Sequence, residues 1–171
     1  MKTKKTQFTN IIHLKQNAMK KLLLVLVAVM GLTFAANAQY NGKAIGVRFN
    51  GGTHAYGGEI SYQTPVGANR FEINAGWANS DFASLTGIYQ WLGNITGDFG
   101  WFVGPGVNFG YCINHGFGIA AAVEGGVEWN PEGIPFQITL DVRPMWDFIK
   151  RENCAYNGFA IGGALGVRYK L

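Results

Sequence analysis

Few side chains of this 171-residue chain are suited to catalysis. Beyond residue 38 its histidines are His54 and His115, and its cysteines are Cys112 and Cys154. A histidine base needs a nucleophile in reach and a third group to orient its ring. Ser80 and Ser84 are hydroxyls that would serve His54, but no third residue can be assigned. Loop histidines are therefore the better reading, with no catalytic residue. Two thiols without His-rich spacing make a poor zinc site, so no metal and no cofactor is expected. Once exported, Cys112 and Cys154 could instead close a disulfide between two loops, if the fold brings them near enough. Gly104-Pro105-Gly106-Val107-Asn108-Phe109-Gly110 superficially suggests a phosphate loop, yet no Lys-Ser/Thr or helix follows it. Asn94-Ile95-Thr96 fits a glycosylation sequon, but a turn position makes it incidental.

The abundant chemistry is charge. Fourteen Lys and Arg against ten Asp and Glu give a formal +4. Six of those lysines precede residue 39 and every acid follows it, so residues 39–171 carry −2. A nucleic-acid partner is excluded on that count. Arg48, Glu59, Arg70, Glu72, Glu124, Glu128, Asp141, Arg143, Asp147, Arg168 and Lys170 fall on a common parity, five basic and six acidic. Such a set can pair into an ion-pair network, with Arg48, Arg143 and Arg168 facing Glu72, Glu124 and Asp141.

The elements that would position these charges show in the glycine and aromatic content. Residues 39–171 hold 24 of the 25 glycines and 22 of the 24 aromatics. Disordered chains lack the aromatics, and helical bundles do not tolerate the glycine. Period-two alternation predicts strands near 43–50, 58–66, 69–78, 84–92, 99–111, 117–129, 136–148 and 157–171. The expected fold is all-β, an eight-stranded antiparallel up-and-down barrel. One face carries these eleven charges, with glycine and alanine between. The other, including Ile45, Ile60, Ile73, Val107, Val123, Leu140 and Val167, carries none.

Height along the strands decides which face is outside. Phe71, Trp91, Phe99, Trp101, Trp129, Phe136 and Tyr169 lie toward one rim. Phe49, Trp77, Phe109, Tyr111, Phe117, Trp146, Phe148 and Phe159 lie toward the other. Two aromatic girdles around an aliphatic band suit a bilayer, whereas the core of a lipocalin-like barrel has no reason to sort residues by height. Glycine and alanine inside a narrow barrel leave room for long Arg and Glu side chains. Thirteen-residue strands tilted by ~45° span roughly 30 Å, enough for the hydrocarbon layer. Turns are expected at 65–69, 93–98 and 130–135, and outer loops at 51–57, 79–83, 112–116 and 149–156. Pro105 and Pro144 each remove a ladder donor inside a strand and predict bulges.

Residues 1–38 read as an address. Met19-Lys20-Lys21, an apolar run from Leu22 to Phe34, and Ala36-Asn37-Ala38 match a secretory signal peptide cleaved after Ala38. Translation is expected to start at Met19, behind a basic extension. The run is too short for a membrane-spanning helix.

With these features the chain resembles the small eight-stranded outer-membrane barrels of the OmpA/OmpX type, a porin-like family, over essentially all of 39–171. Gly166-Val167-Arg168-Tyr169-Lys170-Leu171 looks like the family's C-terminal insertion signal, carried by Gly166, Tyr169 and Leu171. Leu171 replaces the usual final aromatic, and Ala164 an expected polar residue. The resemblance implies an integral protein of the bacterial outer membrane, inserted by the barrel-assembly machinery and in contact with lipid and lipopolysaccharide. It implies a structural or surface-interaction role rather than chemistry. A narrow passive pore for small solutes is the alternative, and a lipid-A-modifying enzyme built on His54 a more distant one.

Overall fold

The computed structural model describes residues 40–53, 56–78, 82–113, 116–148 and 158–171. The expected signal peptide lies outside the described residues, as do His54, Ser80, His115 and Cys154. Eight strands run in chain order: β1 (Ala44–Gly52), β2 (Tyr56–Val66), β3 (Asn69–Ala78), β4 (Phe82–Thr96), β5 (Phe99–Cys112), β6 (Gly116–Trp129), β7 (Phe136–Asp147) and β8 (Phe159–Lys170). Each pairs antiparallel with the next, and β1 pairs with β8 from Ala44↔Lys170 to Gly52↔Gly162, closing the barrel. Closure leaves no sheet edge, which is what allows a β-structure to sit in a medium without water.

Tyr40, the first described residue, and Leu171 sit at one end of the barrel, here called the terminal end. There the Leu171 amide donates to the Lys43 carbonyl at 2.8 Å, and the Tyr40 hydroxyl donates to the carbonyls of Lys43 and Leu171. The connections at this end are tight. Gly67-Ala68 and Gly97-Asp98 are two-residue turns whose first residue has φ of +63° and +50°, a backbone region that favours glycine. The third turn spans 130–135, with Gly133 at φ +72°.

Two expectations need correction. Residues 93–98 are not all turn: β4 continues to Thr96, and Gly93 pairs with Trp101. Gly93 is small because the Trp101 indole lies across it, where a Cβ would collide with the ring. Pro105 and Pro144 also fail to mark bulges. Register is the same on either side of Pro105 in both of its ladders, and on either side of Pro144 in both of its own. The missing donors simply leave gaps in the pairing. The register shift falls instead between Asn94 and Thr96.

The faces separate as the alternation requires. Ile45, Val47, Ile60, Leu85, Val123, Leu140, Val142 and Leu165 are exposed on the outside, while the interior is mostly polar. Aromatic residues pair directly across neighbouring strands at both ends of the barrel. Phe99–Trp129 and Phe136–Tyr169 do so at the terminal end, with ring centroids 6.4 and 5.7 Å apart. Tyr111–Phe117 and Trp146–Phe159 do so at the opposite, loop end, at 4.8 and 6.0 Å. Trp77 and Trp91 are exposed near the loop end and the terminal end respectively, and Trp101 is half-buried.

Candidate functional site

The polar interior is the candidate site. Period two turns alternate residues of every strand inward, so β1 supplies Arg48, β2 Glu59, β3 Arg70 and Glu72, β6 Glu124 and Glu128, β7 Asp141 and Arg143, and β8 Arg168. All nine are buried. Inward glycines and alanines on β5, β6 and β8 make the space into which these long side chains reach.

Arg48 is the hub. Its Nη1 donates to Glu59 Oε2 at 2.6 Å, and its Nη2 donates to Glu124 Oε2 at 3.1 Å and to Asp141 Oδ1. One guanidinium on β1 thus ties β2, β6 and β7 across the lumen. Arg143 reaches back the other way, to Glu59 Oε1 at 2.9 Å and from Nε to Glu124 Oε2 at 2.7 Å. Arg168 Nη2 donates to Glu72 Oε1 at 2.7 Å, with Ser61 and Thr139 hydroxyls accepting from its other nitrogens. Nearer the terminal end, Arg70 Nη2 donates to Glu128 Oε2 at 2.7 Å while its guanidinium lies 5.4 Å from the Phe102 ring centroid. Charge-assisted bonds of this kind compensate the desolvation of buried ions only when geometry is good and the other atoms are also bonded.

Amides complete the set. Gln90 receives Arg70 Nε at 2.7 Å and donates to Glu72 and Glu124, joining the Arg70–Glu128 pair to the Arg48 cluster. Gln63 donates to Glu72, and Gln137 and Asn130 donate to Glu128. Sequence reasoning missed these amides, although they share the inward parity of the charged residues. It also missed Phe102 and Ile88, buried on the same inner side. The expected pairs between Arg48, Arg143, Arg168 and Glu72, Glu124, Asp141 lie together, and Glu59 joins them as a shared partner of Arg48 and Arg143.

Other singled-out residues lie apart from this cluster. Lys170 shares the parity but sits half-buried at the terminal end, its Nζ donating to the Pro131 carbonyl and standing 5.4 Å from the Tyr40 ring centroid. Asp147 is buried near the loop end. Ser84 lines a small cavity at the loop end, and the histidine base considered for it lies outside the described residues. Cys112 is buried at the end of β5 beside Phe82 and Ala78, while its expected partner Cys154 is outside the described residues. Gly166, Tyr169 and Leu171 all lie on or just past β8, against the β1 seam. Among the described residues, no group of three His, Cys, Asp or Glu is arranged to hold a metal.

No protein-family model matches the chain, and no curated protein does. Solved structures do share its fold. A de novo designed transmembrane β-barrel aligns with a TM-score of 0.55 at 17% identity, over 80% of this chain and 100% of that one. Neisserial surface protein A (NspA) aligns with a TM-score of 0.58 at 12% identity, over 75% of this chain and 96% of that one. The fold is therefore that of a small eight-stranded transmembrane barrel.

Proposed function

We propose that the chain is an integral barrel of the bacterial outer membrane with a structural or surface-interaction role, its lumen sealed by the ion-pair network. One observation carries this: buried charge inside coincides with continuous apolar exposure outside. Leu140, Val142 and Val123 are 60%, 54% and 50% exposed at mid-height. In water that belt would be an apolar patch around the whole molecule, far beyond what soluble monomers tolerate. In a bilayer it is the required surface, with the aromatic pairs at its two edges. The likeness to designed transmembrane barrels and to Neisserial surface protein A supports the same reading.

The tight-turned terminal end then faces the periplasm and the loop end faces outward. Arg48, Arg70, Arg143 and Arg168 reach across the lumen to carboxylates on non-adjacent strands, occupying the path a solute would need. Lipid and lipopolysaccharide are the partners such a surface meets, and the barrel-assembly machinery is the partner for insertion through β8. Neither catalysis nor a cofactor enters this reading. Planar-bilayer recording of the purified protein tests it, together with membrane fractionation. Insertion without steady channels is expected. Steady open channels would overturn the sealed lumen in favour of a narrow pore, and recovery in the aqueous fraction would overturn the membrane assignment.

A further inference from the structure

The outward aromatic rings are unevenly spaced around the barrel. On β6 the outer rings of the two ends, Phe117 and Trp129, are twelve residues apart. Phe136 and Trp146 on β7, and Phe159 and Tyr169 on β8, are ten apart. On β2 and β3 the corresponding pairs, Tyr56 with Tyr62 and Phe71 with Trp77, are only six apart. The strands themselves follow suit: β1, β2 and β3 have 9, 11 and 10 residues, whereas β4, β5 and β6 have 15, 14 and 14.

The register makes this a short wall rather than a shifted one. The row of paired residues that starts at Trp129 crosses every strand once and returns to β6 at Ile119, ten residues nearer the loop end. Each step to the next strand therefore climbs about 1.25 residues, and at the tilt usual for barrels one residue is ~2.4 Å of height. In that frame Phe71 stands ~5 Å above the level of Trp129, and Trp77 stands ~9 Å below that of Phe117. Both edges draw inward, so tilting the whole barrel in a bilayer cannot match them. Ring-to-ring height is ~24–29 Å on β6 to β8, close to the ~25 Å band of membrane barrels, but only ~14 Å on β2 and β3. Side-chain chemistry changes at the same level. Between the rings of β6 to β8 every outward residue is aliphatic, glycine or proline. Past Tyr62 the next outward residue of β2 is Thr64, at the level where β7 presents Ile138. Past Phe71 on β3 it is Asn69, whose Nδ2 donates to the Tyr89 hydroxyl at 2.9 Å.

We propose that the barrel thins the bilayer on one side, bringing the phospholipid headgroups of both leaflets against β2 and β3. This rests on the membrane placement above. A hydrophobic wall shorter than the hydrocarbon layer is matched by thinning that layer, and aromatic rings settle at headgroup level. The tall wall of β6 to β8 keeps the layer at full depth, so the thinning is confined to the opposite side. Tyr56 and Trp77 then meet headgroups at the loop end, and Tyr62, Thr64 and Asn69 meet them at the terminal end. The short wall is thus an interaction surface for phospholipid.

Spin labels at matched heights test it, in vesicles of dioleoylphosphatidylcholine. Ala75 on the short wall is compared with Val123 on the tall one, and Ile73 with Leu165 as a second pair. Depth is read from collision with oxygen and with a water-soluble nickel chelate. Ala75 lies two residues from Trp77 and should read ~5 Å below the headgroups, whereas Val123, six residues from both of its rings, should read ~14 Å. Shortening the lipid chains from eighteen to twelve carbons should bring Val123 and Leu165 several ångströms nearer the headgroups and leave Ala75 and Ile73 almost unmoved. Equal depths within each pair, or equal movement on shortening, would overturn the proposal and leave the membrane placement intact. Ready collision of the chelate with all four labels would overturn the placement, and the proposal with it.

Discussion

Replacing Arg48 with methionine removes the hub while keeping side-chain length. Its contacts with Glu59 at 2.6 Å, Glu124 at 3.1 Å and Asp141 disappear together. Glu59 and Glu124 retain Arg143 at 2.9 and 2.6 Å, so neither is stranded. Asp141 loses the partner of its Oδ1, and its Oδ2 has none. The variant therefore leaves one buried carboxylate without a charged partner. Breaking a buried pair in this way costs about 3–5 kcal/mol. At about 1.36 kcal/mol per tenfold, the folded-to-unfolded ratio should fall by two to nearly four orders of magnitude. Asp141→Asn alone should cost within about 1.5 kcal/mol, because Arg48 keeps Glu59 and Glu124 and an amide oxygen still accepts its bond. Combined with Arg48→Met it should recover at least about 1 kcal/mol, since the stranded charge is gone. The assay is urea unfolding of protein reversibly inserted in lipid vesicles, followed by tryptophan emission. A cost below about 1 kcal/mol for Arg48→Met, or strict additivity in the double variant, would refute the account of the lumen.

Other perturbations reach the remaining parts of the structure. Leu140→Arg, in the middle of β7 on the outer face, should cost ~2–4 kcal/mol in vesicles, whereas Phe117→Arg at the rim should cost ~0–1 kcal/mol. Equal costs at the two heights would contradict the bilayer placement. Gly93→Val would drive a side chain into the Trp101 ring, and a loss of about 1–3 kcal/mol in the same unfolding assay is expected. Tyr40 supplies a pH test outside the membrane. Burial raises its pKa above the ordinary value, so the fold favours the neutral phenol. That contribution is complete below about pH 10 and is lost as pH rises through the folded-state value. Comparing alkaline unfolding midpoints should show a steeper decline for the unaltered protein than for Tyr40→Phe, and parallel curves would remove the Tyr40 contact from the account.

Much of this architecture was legible because a strand has an integer period. A two-residue repeat assigns each side chain to a face without knowledge of what lies opposite, so Arg48, Glu124 and Asp141 could be placed inside and Val123 and Leu140 outside. Pairings within the lumen were less legible. An arginine spans much of a narrow barrel, and its partners depend on the stagger between non-adjacent strands, which no local pattern encodes. Glu59 therefore emerged as a shared partner only in three dimensions. Gln63, Gln90 and Gln137 carried the correct parity but no charge to attract notice. Gly93 and Asn94 looked like a turn because both types favour turns, whereas Gly93 is small to accommodate Trp101. The prolines misled for a related reason: a missing donor need not shift register when the ladder can leave a gap.

Spin labels at Val123 and Leu140 in reconstituted vesicles, compared for collision with oxygen and with a water-soluble nickel chelate, bear most directly on the central claim. Contact with hydrocarbon predicts high oxygen and low chelate collision at both positions. Ready collision of the chelate with both labels would mean that water wets the uncharged face, and the membrane assignment would fail.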